Sequence, residues 1–141
     1  MMRYLLDTNV VSEYSRDTPP HISVKEWMNR QDEDTLFLSV LTFGEIRKGT
    51  ALLPAGRKRT QLERWVDLDL RARFAARLLP ITAEITELWG TMAAESQQKG
   101  IALAIIDGLI AATAKHHGLT IVTRNARDFQ MWGIPVINPW I

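Results

Sequence analysis

The chain has 141 residues, a formal net charge of +1, 46% hydrophobic residues and no cysteine. This is the size of one domain with a sizeable core; it excludes a disulfide framework or a thiolate metal site, and a reducing cytoplasm is the simplest setting. No apolar run is long enough to span a membrane, and the N-terminus lacks the charged-then-apolar pattern of a secretory signal, so a cytoplasmic single domain over residues 1–141 is expected.

In chain order, strands and helices alternate. "RYLLD" (3–7) reads as a short buried strand, and "TNVVSEYS" as a short helix capped by Asp7 or Thr8. The paired prolines of "DTPPH" break it. Residues 22–31 place Ile22, Val24, Trp27 and Met28 near helical spacing, and "TLFLSV" (35–40) is a second strand. A helix over 41–53 is stopped by "PAG". Residues 57–77 carry seven Arg or Lys against three acids and read as one longer helix, with Leu62, Trp65, Val66 and Leu70 on one side.

"LLPI" (78–81) is a short strand. The next helix is capped by Thr82 and closed by Gly100, and another, "IIDGLIAATAKHHG", is closed by Gly118. "TIVT" (120–123) is a buried strand and "PVIN" (135–138) a last short one. There is no repeat and no linker. Such alternation predicts an α/β fold: a short parallel sheet with helices on both faces.

The acids fall in a pattern on that map. Asp7 ends the first strand. Glu45 opens the helix after the second strand. Asp107 lies in the helix before "TIVT", and Asn125 and Asp128 follow that strand. In an open parallel sheet the carboxyl ends of the strands share one edge, where ligands bind at the topological switch point. Carboxylates gathered there would repel, and one would protonate unless a hard cation joined them. Mg²⁺ suits such oxygen ligands, and can activate water beside a phosphodiester.

Each acid also has a plain structural reading. Asp7 can cap a helix. Thr42 and Glu45 have the spacing of a capping box. Asp128 in "RNARDF" can be turn chemistry. Asp107 sits in "IIDGLIAATA", apolar on nearly every side, so it is expected to be buried and to need a partner. Capping explains the acids singly but not their convergence. His116 and His117 read as structural cations at a helix C-terminus. The five tryptophans (Trp27, Trp65, Trp89, Trp132, Trp140) read as core or interface rather than as base-stacking platforms.

"LLDTNVVSE" (5–13), "LSVLTFGEIRKG" (38–49), "IIDGLIAATAKHHGLTIVTRNARDF" (105–129) and "NPW" (138–140) together resemble the PIN-domain family. They resemble most closely its VapC-type ribonuclease toxins of bacterial toxin–antitoxin pairs, in the branch that includes FitB-like proteins. The resemblance covers nearly the whole chain. It implies a three-layer fold and a Mg²⁺- or Mn²⁺-dependent endoribonuclease. The family's acids fall on Asp7, Glu45 and Asp107 as metal-binding and catalytic residues. Its fourth acid aligns with Asn125, with Asp128 a short turn later as the fourth catalytic candidate. Thr8, Asn9, Thr123 and Asn125 would orient acids or metal-bound waters, and Arg47, Lys48, Arg124 and Arg127 are expected at the same mouth to bind phosphate. The resemblance also implies RNA as substrate, a cognate antitoxin as inhibitor and a homodimer; in the sequence, the helices around Trp27 or Trp65 could supply such surfaces.

Two other readings compete. A phosphoryl-transfer enzyme using Asp7 as nucleophile usually needs an acid two residues on, where this chain has Asn9. A non-catalytic module on the same fold would not need Asp7, Glu45 and Asp107 together.

Overall fold

Tyr4–Leu6 forms the central strand, β1, of a computed structural model that describes residues 2–15 and 17–141. Its neighbours are β2 (Leu36–Ser39) and β4 (Thr120–Val122), both parallel to it. β3 (Leu78–Leu79) extends the sheet beyond β2 and β5 (Val136–Ile137) beyond β4, giving the order β3-β2-β1-β4-β5, parallel throughout. The chain winds outward from β1 through β2 to β3, then returns to the far side of β1. The switch point therefore lies between β1 and β4.

Alternate strand residues face opposite layers. Tyr4, Leu6, Leu36, Leu38 and Val122 point into one core, which α1 (Thr8–Ser12), α2 (Ile22–Arg30) and α3 (Val40–Ala51) cover. Leu5 and Ile121 point into the other, which α6 (Ala83–Gln98) and α7 (Ile105–His117) cover. Both layers are apolar, which is why the strands read as continuous hydrophobic runs. The predicted three-layer α/β architecture is present, with element ends shifted by one to three residues.

The basic segment differs from expectation. α4 (Arg57–Arg64) runs into a π-helical stretch, Trp65–Leu70, and then into α5 (Arg71–Arg73), where the helix ends. Val66, Leu70 and Phe74 are all buried in the first core. Their four-residue spacing would drift by about 40° per step on an ideal α-helix; a widened turn keeps them on one line. Arg77 lies beyond the helix as an anchor. Its guanidinium donates to the carbonyls of Glu33 (2.6 Å), Leu36 (2.5 Å) and Arg73 (2.6 Å). Glu33 also accepts two bonds from Arg73, at 2.6 and 2.9 Å, and these hold its carboxyl below the usual range.

Helix ends follow their sequence signals. Thr82 Oγ1 accepts from Ile85 N at 3.3 Å, and Gly118 closes α7 in the left-handed region at φ 65°. At that end, burial lowers the His117 pKa, so the expected cationic role does not fall to it; Arg3 instead donates to its carbonyl at 3.0 Å. Trp27 is buried edge-on against Tyr4, so its ring belongs to the core.

Candidate active site

β1 ends where Asp7 N donates to Val122 O at 2.9 Å, continuing the β1–β4 ladder by one bond. This fixes the Asp7 carboxylate at the switch point, only 5% exposed. The residue has two tasks. Its Oδ1 accepts from Thr8 N at 2.8 Å and caps α1; its Oδ2 accepts the Thr123 hydroxyl at 2.8 Å. Each oxygen keeps a lone pair for another partner. Burial raises the Asp7 pKa, the two hydrogen bonds oppose that rise, and the charges of Glu45 and Asp128 add to it.

Glu45 arrives differently from the capping-box expectation. Ser39 is the cap of α3, its hydroxyl accepting from Leu41 N at 3.1 Å. Thr42 is therefore inside the helix and fully buried, and Glu45 lies one turn deeper than predicted. Its carboxylate takes the Thr8 hydroxyl instead. Thr8 thus joins the first two acids, through its backbone N–H to Asp7 and its hydroxyl to Glu45.

Asp107 enters from the first turn of α7. It is half-buried rather than enclosed, because that turn protrudes: Ile105 is 63% exposed. Among the described residues its carboxylate makes no hydrogen bond or ion pair. Burial raises its pKa first, and the negative charges of Asp7 and Asp128 raise it further. Such a group favours a cation or a proton.

Asp7, Glu45 and Asp107 line one pocket of about 390 Å³, together with Thr8, Asn9, Asn125 and Arg124. Asn9 ties the pocket across the sheet, its Nδ2 donating to Thr123 Oγ1 and its Oδ1 accepting from Arg124 N, both at 3.3 Å. Asn125 N donates to Thr123 Oγ1 at 3.0 Å. Asp128 sits on the exposed 3₁₀ turn Ala126–Asp128 and does not line the pocket, although its charge is felt by both Asp7 and Asp107. After β4 the pocket wall thus carries the neutral Asn125.

Of the four cations expected at this mouth, Arg124 alone lines it. Arg47 is taken by Asp67 of the π-helical stretch, while Lys48 and Arg127 face solvent elsewhere. The pocket also holds Ser12, Glu13 and Trp140, which sequence reasoning did not assign to it. Glu13 is 3% exposed and accepts from His21 N at 2.9 Å. Asn9, Ser12 and Glu13 are spaced three and four apart, the spacing of one helix face, and that was the available signal.

The donor set is all hard oxygen, which suits a divalent ion such as Mg²⁺ or Mn²⁺. Among the described residues no three acidic, His or Cys side chains already close around one point. A site of this kind does not need them to: Mg²⁺ keeps most of its waters and takes one or two carboxylates, and bare carboxylates hold apart by repulsion. The unpartnered Asp107 facing the doubly anchored Asp7 fits that description.

Residues 4–131 match the PIN domain family. Over 136 residues the chain is 38% identical to the plasmid stability protein StbB of Pseudomonas syringae pv. tomato, covering 96% of this chain and 97% of that one. It is 36% identical to the toxin FitB of Neisseria gonorrhoeae, with 96% and 97% covered, and 35% identical to the VapC ribonuclease Y4jK of Sinorhizobium fredii, with 96% of each covered. The solved structure of FitAB bound to an IR36 DNA fragment superposes with a TM-score of 0.90 at 35% identity, over 98% of this chain and 96% of that one. Fold and similarity over nearly the whole length agree: the chain belongs to the PIN-domain family, in its VapC-type group of ribonuclease toxins.

Proposed function

We propose that this chain is the toxin of a toxin–antitoxin pair, a single-domain endoribonuclease acting in the cytoplasm through the acidic pocket. The observation that carries the reading is the meeting of Asp7, Glu45 and Asp107, from β1, α3 and α7, in one pocket with no Lys or Arg ion-paired to any of them among the described residues.

Asp7, Asp107 and Glu45 are the residues that would hold Mg²⁺, or Mn²⁺ in its place. Bound there, the ion would lower the pKa of a water and place positive charge beside the phosphate. The protein's own part is positional. Thr8 N–H and Thr123 Oγ1 keep Asp7 in one rotamer and favour its charged form. Glu45 spends one oxygen on Thr8, and its other is left either to bind the ion or to orient the attacking water. Asn125 presents a neutral amide where a further charge would repel the substrate phosphate.

Beside the acidic pocket lies a groove of about 720 Å³ that shares Thr8, Ser12 and Glu45 with it and is walled by Tyr14, Lys58 and Trp65. A segment of the cognate antitoxin laid in this groove would reach the acids directly and block them. The active form is a homodimer.

The test is cleavage of a single-stranded RNA by the purified chain. Activity should require Mg²⁺ or Mn²⁺, vanish with chelator, and fall at least ~100-fold in Asp7→Asn. Expression of the parent alone should arrest growth, and co-expression of the antitoxin should relieve it. Equal cleavage by the parent and Asp7→Asn, in chelator, would remove the proposal.

A further inference from the structure

We infer that Arg124, stacked on Trp140, forms a nucleotide-binding subsite at the rim of the acidic pocket, and that the pair sets substrate affinity rather than the rate of the chemical step. The inference rests on the ribonuclease reading above and adds to it where the RNA strand beside the cut is gripped.

Both residues line the pocket with Asp7 and Asp107. The Arg124 guanidinium lies 5.4 Å from the centroid of the Trp140 ring. The indole is half-buried and its inner side packs on the first core. The indole thus meets both the first core and the exposed Arg124. Asn138 fixes both partners from one side chain. Its Oδ1 accepts from Trp140 N at 2.9 Å, and its Nδ2 donates to Arg124 O at 3.4 Å. Asn9 holds the Arg124 N–H from the other side. Pro139, between Asn138 and Trp140, is buried.

The electrostatics are unusual for a cation in such a place. Asp7, Glu45 and Asp107 stand in the same pocket, yet among the described residues the Arg124 guanidinium is paired with no carboxylate. Its five donors are not used up inside the protein. A cation kept on an indole face, pre-oriented and unneutralised beside an acidic pocket, suits an incoming phosphodiester that the acids alone would repel. Its exposed guanidinium also suits a splayed-out base of single-stranded RNA, which stacks on guanidinium groups as on aromatic rings. Trp140 is here a positioning residue. It narrows the rotamers of Arg124, so that less ordering is lost when RNA binds.

The test uses the full chain and a fluorescently labelled single-stranded oligoribonucleotide, read as Kd in an Asp107→Asn background and as kcat and KM in the parent background. Arg124→Gln should weaken Kd and raise KM by ~10-fold or more, with kcat within ~3-fold. It should also flatten the salt dependence of binding by about 0.7 in log–log slope, one single-strand phosphate contact. Trp140→Leu should act in the same direction by ~2- to 30-fold, Trp140→Phe should recover most of that, and Trp140→Leu combined with Arg124→Gln should be no worse than Arg124→Gln alone. If Arg124→Gln leaves Kd, KM and salt slope unchanged while the parent still cleaves RNA with Mg²⁺, the subsite is wrong and the function stands. Additive losses in the double variant would likewise overturn the coupling of the pair. If the parent neither binds nor cuts RNA, both readings fall together.

Discussion

Thr123 donates its hydroxyl proton to Asp7 Oδ2 at 2.8 Å, joining the ends of β4 and β1 across 116 positions of sequence. Thr123 Oγ1 in turn accepts from Asn125 N and from Asn9 Nδ2. One buried hydroxyl therefore favours the charged form of Asp7 against its burial and holds the loop behind it. Thr123→Val keeps the shape and removes the donor and acceptor together. The folded protein should lose about 2 kcal/mol, the cost of a buried hydrogen bond to a charged group, with Asp7 pushed further up in pKa. Mn²⁺ affinity by calorimetry should drop ~10-fold or more. Unchanged affinity would mean that Thr123 shapes the loop without tuning the acid.

Asp107→Asn tests the least partnered acid. Cleavage should fall at least ~100-fold in a folded protein. The pH dependence has a definite sign. The folded pKa of Asp107 lies above its unfolded value. The metal-free native state thus holds this proton more tightly, and Asp107 costs stability increasingly as pH rises through its raised pKa. In chelator, Asp107→Asn should melt at the same temperature as the parent near pH 4 and higher at pH 7. Added Mg²⁺ should cancel that advantage by stabilising the parent. An advantage independent of pH would place its origin outside this carboxyl.

Much of this site was legible in the sequence, and the exceptions have physical causes. Asp7, Glu45 and Asp107 could be placed because strand ends in a parallel sheet share an edge, and because the apolar runs around them left little freedom in register. Glu45 was put in the wrong turn since Ser39 and Thr42 are both good caps, and only the path out of β2 chooses between them. The break in the basic helix was hidden because a π-helical turn follows from packing of Val66 and Leu70, not from any residue signal. Arg47 and Arg124 looked alike as cations near a strand end; a distant acid, Asp67, claims one, and the last residues of the chain bring an indole to the other. Contacts of that kind are set by tertiary structure alone.

At the fourth position the pocket wall carries Asn125, with Asp128 outside it. Asn125→Asp should tighten Mn²⁺ binding by adding charge to the wall, without an equal gain in rate, since the same charge repels substrate phosphate. Asp128→Ala removes only a through-space charge from an exposed turn. It should lower the pKa of Asp7 and Asp107 slightly and cost far less activity than Asp107→Asn. Calorimetry on both variants separates the roles: abolished metal binding in Asp128→Ala would make it the fourth ligand.

Gly108 follows Asp107 directly, and the space its missing side chain leaves is filled. A Cβ there would lie 2.8 Å from Trp89 Nε1 and 2.9 Å from Leu103 Cδ2. α6 and α7 approach closely at this point, so the position of Asp107 depends on an indole from the neighbouring helix. Gly108→Ala gains helix propensity but overpacks the contact, and a net loss of about 1–3 kcal/mol is expected. The first turn of α7 should move outward and carry Asp107 with it, so activity should fall more than stability alone explains. The second change, Trp89→Leu, should relieve the clash: Gly108→Ala with Trp89→Leu should recover both melting temperature and cleavage relative to Gly108→Ala. Recovery of stability without recovery of cleavage would show that Trp89 serves the site by more than making room.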